Sequence, residues 1–182
     1  MILIDQFFRM AFIGLAIFVL FLLIFKMPIK KVVFISSIYL YATVILGLTL
    51  CPLPLQKVDF VAEANNNFIP FATIIDCMQN VSTKTALLQI GGNIAMFVPS
   101  GAFMYALVKR NRRIVIPLLI ILFPILVEVI QHIVGIAIGY NYRSFDVDDI
   151  ILGSSGCLIG YLFCIVVLSR ISLEKFKKVQ KC

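Results

Sequence analysis

The sequence predicts an all-α integral membrane protein, a bundle of about five transmembrane helices with an outer re-entrant or interfacial loop. Apolar residues make up 62% of the 182 residues and charged residues only 14%, whereas soluble domains carry about 25% charged residues. The apolar residues are gathered into five runs, each near the roughly 20 residues that a spanning helix needs. The net charge of +7 comes from short basic clusters between these runs. Such clusters set orientation in a membrane, so we expect the lipid bilayer as a partner and no nucleic acid.

The five runs follow one another without a linker, a repeat or a low-complexity tract that would indicate a second domain. The first run is short and spans a bilayer only if flanking residues join its helix. The fourth run contains a single acid, Glu128, and the other four carry no formal charge. The runs are residues 10–25, 32–50, 85–108, 114–138 and 150–169.

Orientation is predicted from the basic residues, which cluster after the first, third and fifth runs and favour the cytoplasmic side. The alternation is consistent with a multi-pass protein whose N-terminus is outside and whose C-terminus is cytoplasmic. Residues 51–84 and 140–147 are then outer loops. The clustered basic residues are Lys26, Lys30, Lys31, Lys109, Arg110, Arg112, Arg113, Lys175, Lys177, Lys178 and Lys181.

Polar residues of the last three runs gather toward this predicted outer side. Glu128 and Gln131 share a helix face near the outer end of the fourth run, at about 100° per residue. Asp149 heads a glycine stripe at the start of the fifth run, and such a stripe lets another helix approach closely. The sequence therefore predicts an outer polar cavity that binds a ligand, lined by Asn93, Glu128, Gln131, Arg143, Asp146, Asp148 and Asp149.

The outer loop over residues 51–84 is partly apolar, and "NFIPFATI" at residues 67–74 is interrupted by Pro70. Irregular backbone at membrane depth is tolerated only where protein or a water-filled cavity shields it. We therefore expect residues 67–74 to form a lid that packs over the helices and contacts their polar residues.

Four motifs, in this order, resemble the VanZ-like membrane proteins. They are "NFIPF" at residues 67–71, "NIAMFVPSG" at 93–101, "EVIQ" at 128–131 and "RSFDVDDIILGSSGCLIGY" at 143–161. The resemblance covers about residues 67–161 and implies a single VanZ-like domain over residues 1–182. The family usually has asparagine a few residues after the DxDD element, where this chain has Gly153, and the effect of this departure on any ligand is open.

The resemblance implies a bacterial cell-membrane protein of the group named for low-level resistance to teicoplanin, a lipoglycopeptide. Two functions remain open. One is a non-enzymatic factor that binds a lipopeptide or a lipid-linked cell-wall precursor at the outer leaflet. The other is a membrane enzyme acting on a lipid-phosphate or lipid-linked glycan, with Glu128 or Asp149 as general base. No sequence pattern indicates a hydrolase triad, and we favour the first reading.

The individual residues leave structural alternatives open. Asp146 or Asp148 would cap the last helix, and Glu128 would form a buried ion pair with Arg143. The acids also offer oxygen ligands for Mg²⁺ or Ca²⁺, but Arg143 can satisfy the same charge, so we predict no cofactor. The lone histidine, His132, is read as a hydrogen-bonded residue of the bundle. Whether Cys51 and Cys77 form a disulfide cannot be decided from the sequence.

Overall fold

The computed structural model describes residues 4–51, 66–138 and 144–179, with residues 168–179 described as backbone. The described residues form six helices and no strand. Five of these helices, all but α3, are long and apolar enough to cross a membrane, and in α6 the apolar span is Val147–Val167. The predicted all-α membrane bundle is confirmed. The helices are α1 (Ile4–Ile24), α2 (Ile29–Leu50), α3 (Ala72–Asn80), α4 (Thr83–Leu107), α5 (Arg112–Ile138) and α6 (Val147–Val179).

The spanning helices begin a few residues before the apolar runs that predicted them. The first run was predicted from residue 10, after Arg9, yet α1 starts at Ile4 and includes both Asp5 and Arg9. These two side chains form an ion pair one turn apart, and both are exposed. Charged residues on an outward face therefore continue the helix rather than end it.

Backbone contacts divide the chain into two compact units, Met1–Asn65 with Ile130–Ser144, and Asn66–Val129 with Phe145–Cys182. A single domain over residues 1–182 stays a prediction, and each unit is described by itself. In the first unit, α1 and α2 form a hairpin. Tyr39 of α2 stacks on Phe18 of α1 with ring centroids 5.6 Å apart, and its hydroxyl donates to the Ala11 carbonyl at 3.3 Å. A β-carbon at Gly14 would lie 2.7 Å from that hydroxyl, so glycine makes room for the tyrosine.

The second unit is built on the close packing of α4 against α6. Gly101 of α4 and Gly156 and Gly160 of α6 lie against backbone carbonyls of the opposite helix, and a β-carbon at any of them would overlap a carbonyl oxygen. Both α6 glycines are buried, which confirms the prediction that the glycine stripe faces another helix. Backbones that approach this closely gain dispersion contact along the whole seam. A cluster of buried apolar residues completes the core: Phe97, Met104, Ile116 and Cys157.

The predicted outer loop contains a short helix, α3, which the apolar pattern did not indicate. α3 packs on α4 and α6, and Asn67 before it pairs with the backbone on either side of Asp146 at the start of α6. The part of the loop from residue 66 to residue 84 therefore belongs to the second unit, next to the acidic residues.

Candidate functional site

A short backbone pairing joins the segment before α3 to the start of α6. The Asn67 N–H donates to the Phe145 carbonyl at 2.8 Å, and the Val147 N–H donates to the Asn67 carbonyl at 3.1 Å. The Phe68 ring stacks on the Phe145 ring with centroids 5.6 Å apart. This pairing brings the N-terminal ends of α3 and α6 side by side, where the positive ends of both helix dipoles lie close together.

Asp148 holds the N-terminus of α3 from a position more than 70 residues away. Its side chain is fully buried. One carboxylate oxygen accepts the Phe71 N–H at 2.5 Å, and the other accepts the N–H groups of Thr73 at 2.8 Å and Ile74 at 3.1 Å. The first N–H groups of any helix have no acceptor within the helix. Asp148 therefore caps α3, and its negative charge opposes the positive end of that helix.

Phe71, the residue before α3, makes this cap necessary. It makes no side-chain capping bond, and its φ of 67° lies in the left-handed region. That conformation costs a residue with a β-carbon roughly 1–2 kcal/mol. A hydrogen bond to a charged acceptor contributes about 1.5–3 kcal/mol, so the bond from its N–H to Asp148 is large enough to hold Phe71 in place.

Asp146 plays the same part for α6. Its side chain is 5% exposed, and one oxygen accepts both the Asp148 N–H at 2.8 Å and the Asn67 amide at 2.9 Å. The other oxygen accepts the Thr73 hydroxyl at 2.6 Å. The bond to the N–H of the second residue of α6 is an N-terminal cap, which confirms the capping interpretation for Asp146. Asp148 was the other residue predicted as a possible cap for α6. In the structure it caps α3 instead of its own helix.

Glu128 links α5 to this pair of caps. The side chain is 3% exposed, and one of its oxygens accepts the Asp146 N–H at 2.8 Å. The buried carboxylate therefore accepts a hydrogen bond from the backbone N–H of Asp146, the residue that caps α6. Its predicted ion pair with Arg143 lies outside the described residues, as does Arg143 itself.

Asn93 and Asp149 meet across the α4–α6 seam. The Asn93 amide donates to an Asp149 carboxylate oxygen, and both side chains are half-buried. The sequence placed Asn93 and Asp149 on inward faces of their helices, and the structure brings them into direct contact. They are the more accessible polar pair of the site.

Gln131 belongs to the first unit, where its amide donates to the Thr49 carbonyl at 2.7 Å. Five of the seven predicted site residues thus lie together in the second unit: Asn93, Glu128, Asp146, Asp148 and Asp149. Ligand binding by any of them stays a prediction. Among the described residues, no group of three or more His, Cys, Asp or Glu side chains is arranged to hold a metal ion, and the oxygens of Asp146 and Asp148 already accept hydrogen bonds from the protein.

The site lies inside a region that can be assigned to a family. A family model described as VanZ/LLP1 matches residues 38–168, well over half of the chain. The chain belongs to the VanZ-like family. The resemblance predicted from the four motifs is therefore confirmed, and the match includes every residue of the VanZ-like site described above. The comparisons with curated proteins and with solved structures gave no match.

Sequence reasoning missed three participants in this VanZ-like site. Asn67 and Thr73 were included in a motif and a lid but were not named as partners of the acids. Cys77 was considered only for a disulfide, and it carries a free, buried thiol on α3. Burial raises the pKa of Cys77, and the negative charges of Asp76, Asp146 and Asp149 raise it further. An asparagine and a proline ahead of a helix, with a threonine in its first turn, are a turn signal that could have identified Asn67 and Thr73.

Proposed function

We propose that this VanZ-like membrane protein binds a lipopeptide or a lipid-linked cell-wall molecule at the outer leaflet of a bacterial cell membrane. Binding there would lower susceptibility to lipoglycopeptides such as teicoplanin, because the drug and the precursor it targets meet on that side. The observation that supports this most directly is an exposed apolar surface whose backbone is held by Asp148, the residue before Asp149 in α6. Its large apolar side chains, all exposed, are Phe68, Ile69, Phe71, Ile75 and Met78.

The position of this surface suits an amphiphilic ligand. The apolar side chains can contact an acyl chain, while Asn93 and Asp149 offer an amide and a carboxylate to a polar group. The backbone that carries the apolar surface is already held by Asp148, so binding would order few additional residues. A pre-ordered site loses less conformational entropy on association.

A catalytic function is less well supported by the same contacts. A general base needs an oxygen within hydrogen-bond reach of the substrate proton. The carboxylates of Asp146 and Asp148 accept hydrogen bonds from the segment before α3 and from α3 itself, and Glu128 is buried beneath them. Asp149 is left as the acid best placed to meet a substrate, which makes it the residue to test for either function.

The direct test is drug susceptibility of a sensitive bacterial strain with and without expression of the protein. We expect expression to raise the inhibitory concentration of teicoplanin and to leave that of a glycopeptide without an acyl chain nearly unchanged. Asp149→Asn should lose the effect at matched membrane abundance, whereas Asp76→Asn, the same change at an exposed position of α3, should keep it. Equal protection by both variants would remove Asp149 from the site.

The apolar surface has its own matched pair of variants. Ile69 and Leu87 are each 69% exposed, but only Ile69 lies in the segment that Asp148 holds. Ile69→Ser should reduce protection and Leu87→Ser should not. If the two variants protect equally, the surface before α3 does not bind the ligand.

Lipid analysis of the same strains separates binding from catalysis. Binding predicts changed susceptibility with an unaltered set of lipid and lipid-linked species. A new or missing species that depends on Asp149 would establish the enzyme reading instead.

The outer location is tested by labelling single cysteines in a background without native cysteines. A thiol introduced at Gln79 should react with an impermeant reagent in intact cells. A thiol introduced at Arg110 should react only after permeabilisation. The reverse pattern would place the site on the cytoplasmic side and exclude the proposed function.

A further inference from the structure

A groove of about 300 Å³ lies between α5 and the second half of the α6 span. This volume is at the lower end of the range for ligand pockets, about 300–1,000 Å³. Its walls are almost entirely apolar, and its basic end contains two arginines from the start of α5. The wall residues are Ile116, Pro117, Ile120 and Ile121 of α5 with Leu158 and Tyr161 of α6.

Arg112 is fixed at the basic end by contacts with α4. Its Nε donates to the Val108 carbonyl at 2.7 Å, and a terminal nitrogen donates to the Tyr105 carbonyl at 3.2 Å. The guanidinium carbon also lies 4.7 Å from the centre of the Tyr105 ring, and that ring pairs with Tyr161 at 6.0 Å. Arg112 therefore caps the C-terminal end of α4 while its charge stays at the mouth of the groove.

Arg113 stands beside it with an exposed side chain. The two arginines that line this end of the groove attract an anion, and arginine binds phosphate through paired N–H donors. The apolar walls extend from that end over the eight residue steps from Arg113 to Ile121, roughly 12 Å of helix. A phosphate next to a chain of methylene groups matches this order of charge followed by apolar surface.

We propose that the groove binds one anionic phospholipid, with its phosphate at Arg113 and Arg112 and an acyl chain along the apolar walls. The orientation predicted from the basic clusters puts this end at the cytoplasmic leaflet, where basic pockets between spanning helices meet anionic head groups. The site is separate from the acidic site. The acids cap the start of α6, whereas Leu158 and Tyr161 lie three to four turns further along that helix.

The experiment measures lipid retention by the purified full-length protein, using native mass spectrometry and thermal unfolding in detergent. The probes are phosphatidylglycerol, phosphatidylcholine with the same acyl chains, and inorganic phosphate. We expect one tightly retained phosphatidylglycerol and a raised Tm with that lipid alone. Equal retention of phosphatidylcholine, or an equal rise in Tm with inorganic phosphate, would overturn the proposal.

Matched variants locate the site. Arg110 and Arg113 are both exposed residues of one basic cluster, but only Arg113 lines the groove. Arg113→Ala should weaken retention of phosphatidylglycerol about fivefold, the factor expected for one basic residue near an anionic lipid. Arg110→Ala should have little effect. Equal losses in both variants would indicate diffuse electrostatic attraction and contradict a defined site.

The apolar part of the groove is tested by filling it. Ile121 and Leu122 are neighbouring residues, 52% and 54% exposed, and only Ile121 lines the groove. Ile121→Trp should reduce retention of phosphatidylglycerol, and Leu122→Trp should leave it unchanged. Indistinguishable variants would show that no acyl chain occupies the groove.

Discussion

Replacing Asp148 should detach the start of α3 from the rest of its unit. Asp148→Ala leaves three backbone N–H groups without their acceptor, and each buried, unsatisfied group costs about 1–3 kcal/mol. Phe71 is an exposed residue, so its N–H is not counted at the full penalty for a buried group, whereas Thr73 and Ile74 are half-buried. We therefore expect a loss of about 3–5 kcal/mol in unfolding free energy, less than the sum of three full penalties.

Asp148→Asn should cost less, because an amide oxygen can keep the two bonds from Thr73 and Ile74. Its NH₂ group would then face the Phe71 N–H, and the bond of that N–H to a charged oxygen is lost. The expected cost is about 1.5–3 kcal/mol, the net value of one such bond. The geometry therefore predicts that the free energy of unfolding decreases in the order wild type, Asp148→Asn, Asp148→Ala.

Two measurements check this order. Denaturant titration in mixed micelles gives the free energy of unfolding, and hydrogen exchange gives the protection of the amides at residues 71, 73 and 74. Asp76→Asn is the control, since it removes the same charge from an exposed site whose partner is the Asn80 amide. An Asp148→Ala protein that retained protection at all three amides would refute the capping role, whatever its global stability.

Three further predictions rest on single contacts. Glu128→Gln keeps an oxygen that can accept the Asp146 N–H, so denaturant titration should show a loss of unfolding free energy below about 1 kcal/mol. Glu128→Ala should lose about 1–3 kcal/mol, and equal losses in the two variants would contradict this role. Gly156→Ala should cost about 1–3 kcal/mol by overpacking the helix seam, while Gly92→Ala, with open space around it, should be neutral or stabilising; a harmless Gly156→Ala would argue against the close seam. Burial raises the pKa of Cys77, so less thiolate forms at a given pH and the curve of maleimide labelling rate against pH should lie at higher pH than that of an exposed thiol. Asp148→Ala should speed this labelling, and an unchanged rate would mean that Cys77 is not covered by the capped segment.

The spanning helices could be predicted from the sequence because a bilayer imposes a strict requirement of length and apolarity. The inward faces were predicted for a similar reason, since glycines and polar residues recur at helical spacing in α4 and α6. Asn93 and Asp149 were assigned to these faces and meet in the structure. Periodicity gives the direction of a side chain but not its partner, so the contact itself was not predicted.

The helix α3 and its cap could not be predicted in this way. α3 has nine residues, below the roughly 12–15 at which an isolated helix becomes stable in water, and its first turns contain the β-branched residues Thr73, Ile74 and Ile75, which have modest helix propensity. Its acceptor, Asp148, comes 75 residues after Thr73 in the chain. A helix stabilised by such a distant residue leaves no local signal, and a cap for α6 was the only capping role that local spacing could suggest.

The free-energy cost of placing acids at a membrane boundary is offset here by the hydrogen bonds that their carboxylates accept. A charged residue in a spanning segment costs roughly 2.5–3.5 kcal/mol on insertion scales, and an N–H group without a partner is also costly in lipid. The contacts of Asp146 and Asp148 satisfy both requirements at once, because the carboxylates receive the N–H groups of two helix starts. Phe68, Ile69 and Phe71 can then face an apolar medium while their segment's backbone stays bonded. A ligand that displaced this segment would expose both the acids and the N–H groups, so we expect binding to use the apolar surface with Asp148 in place rather than to open it.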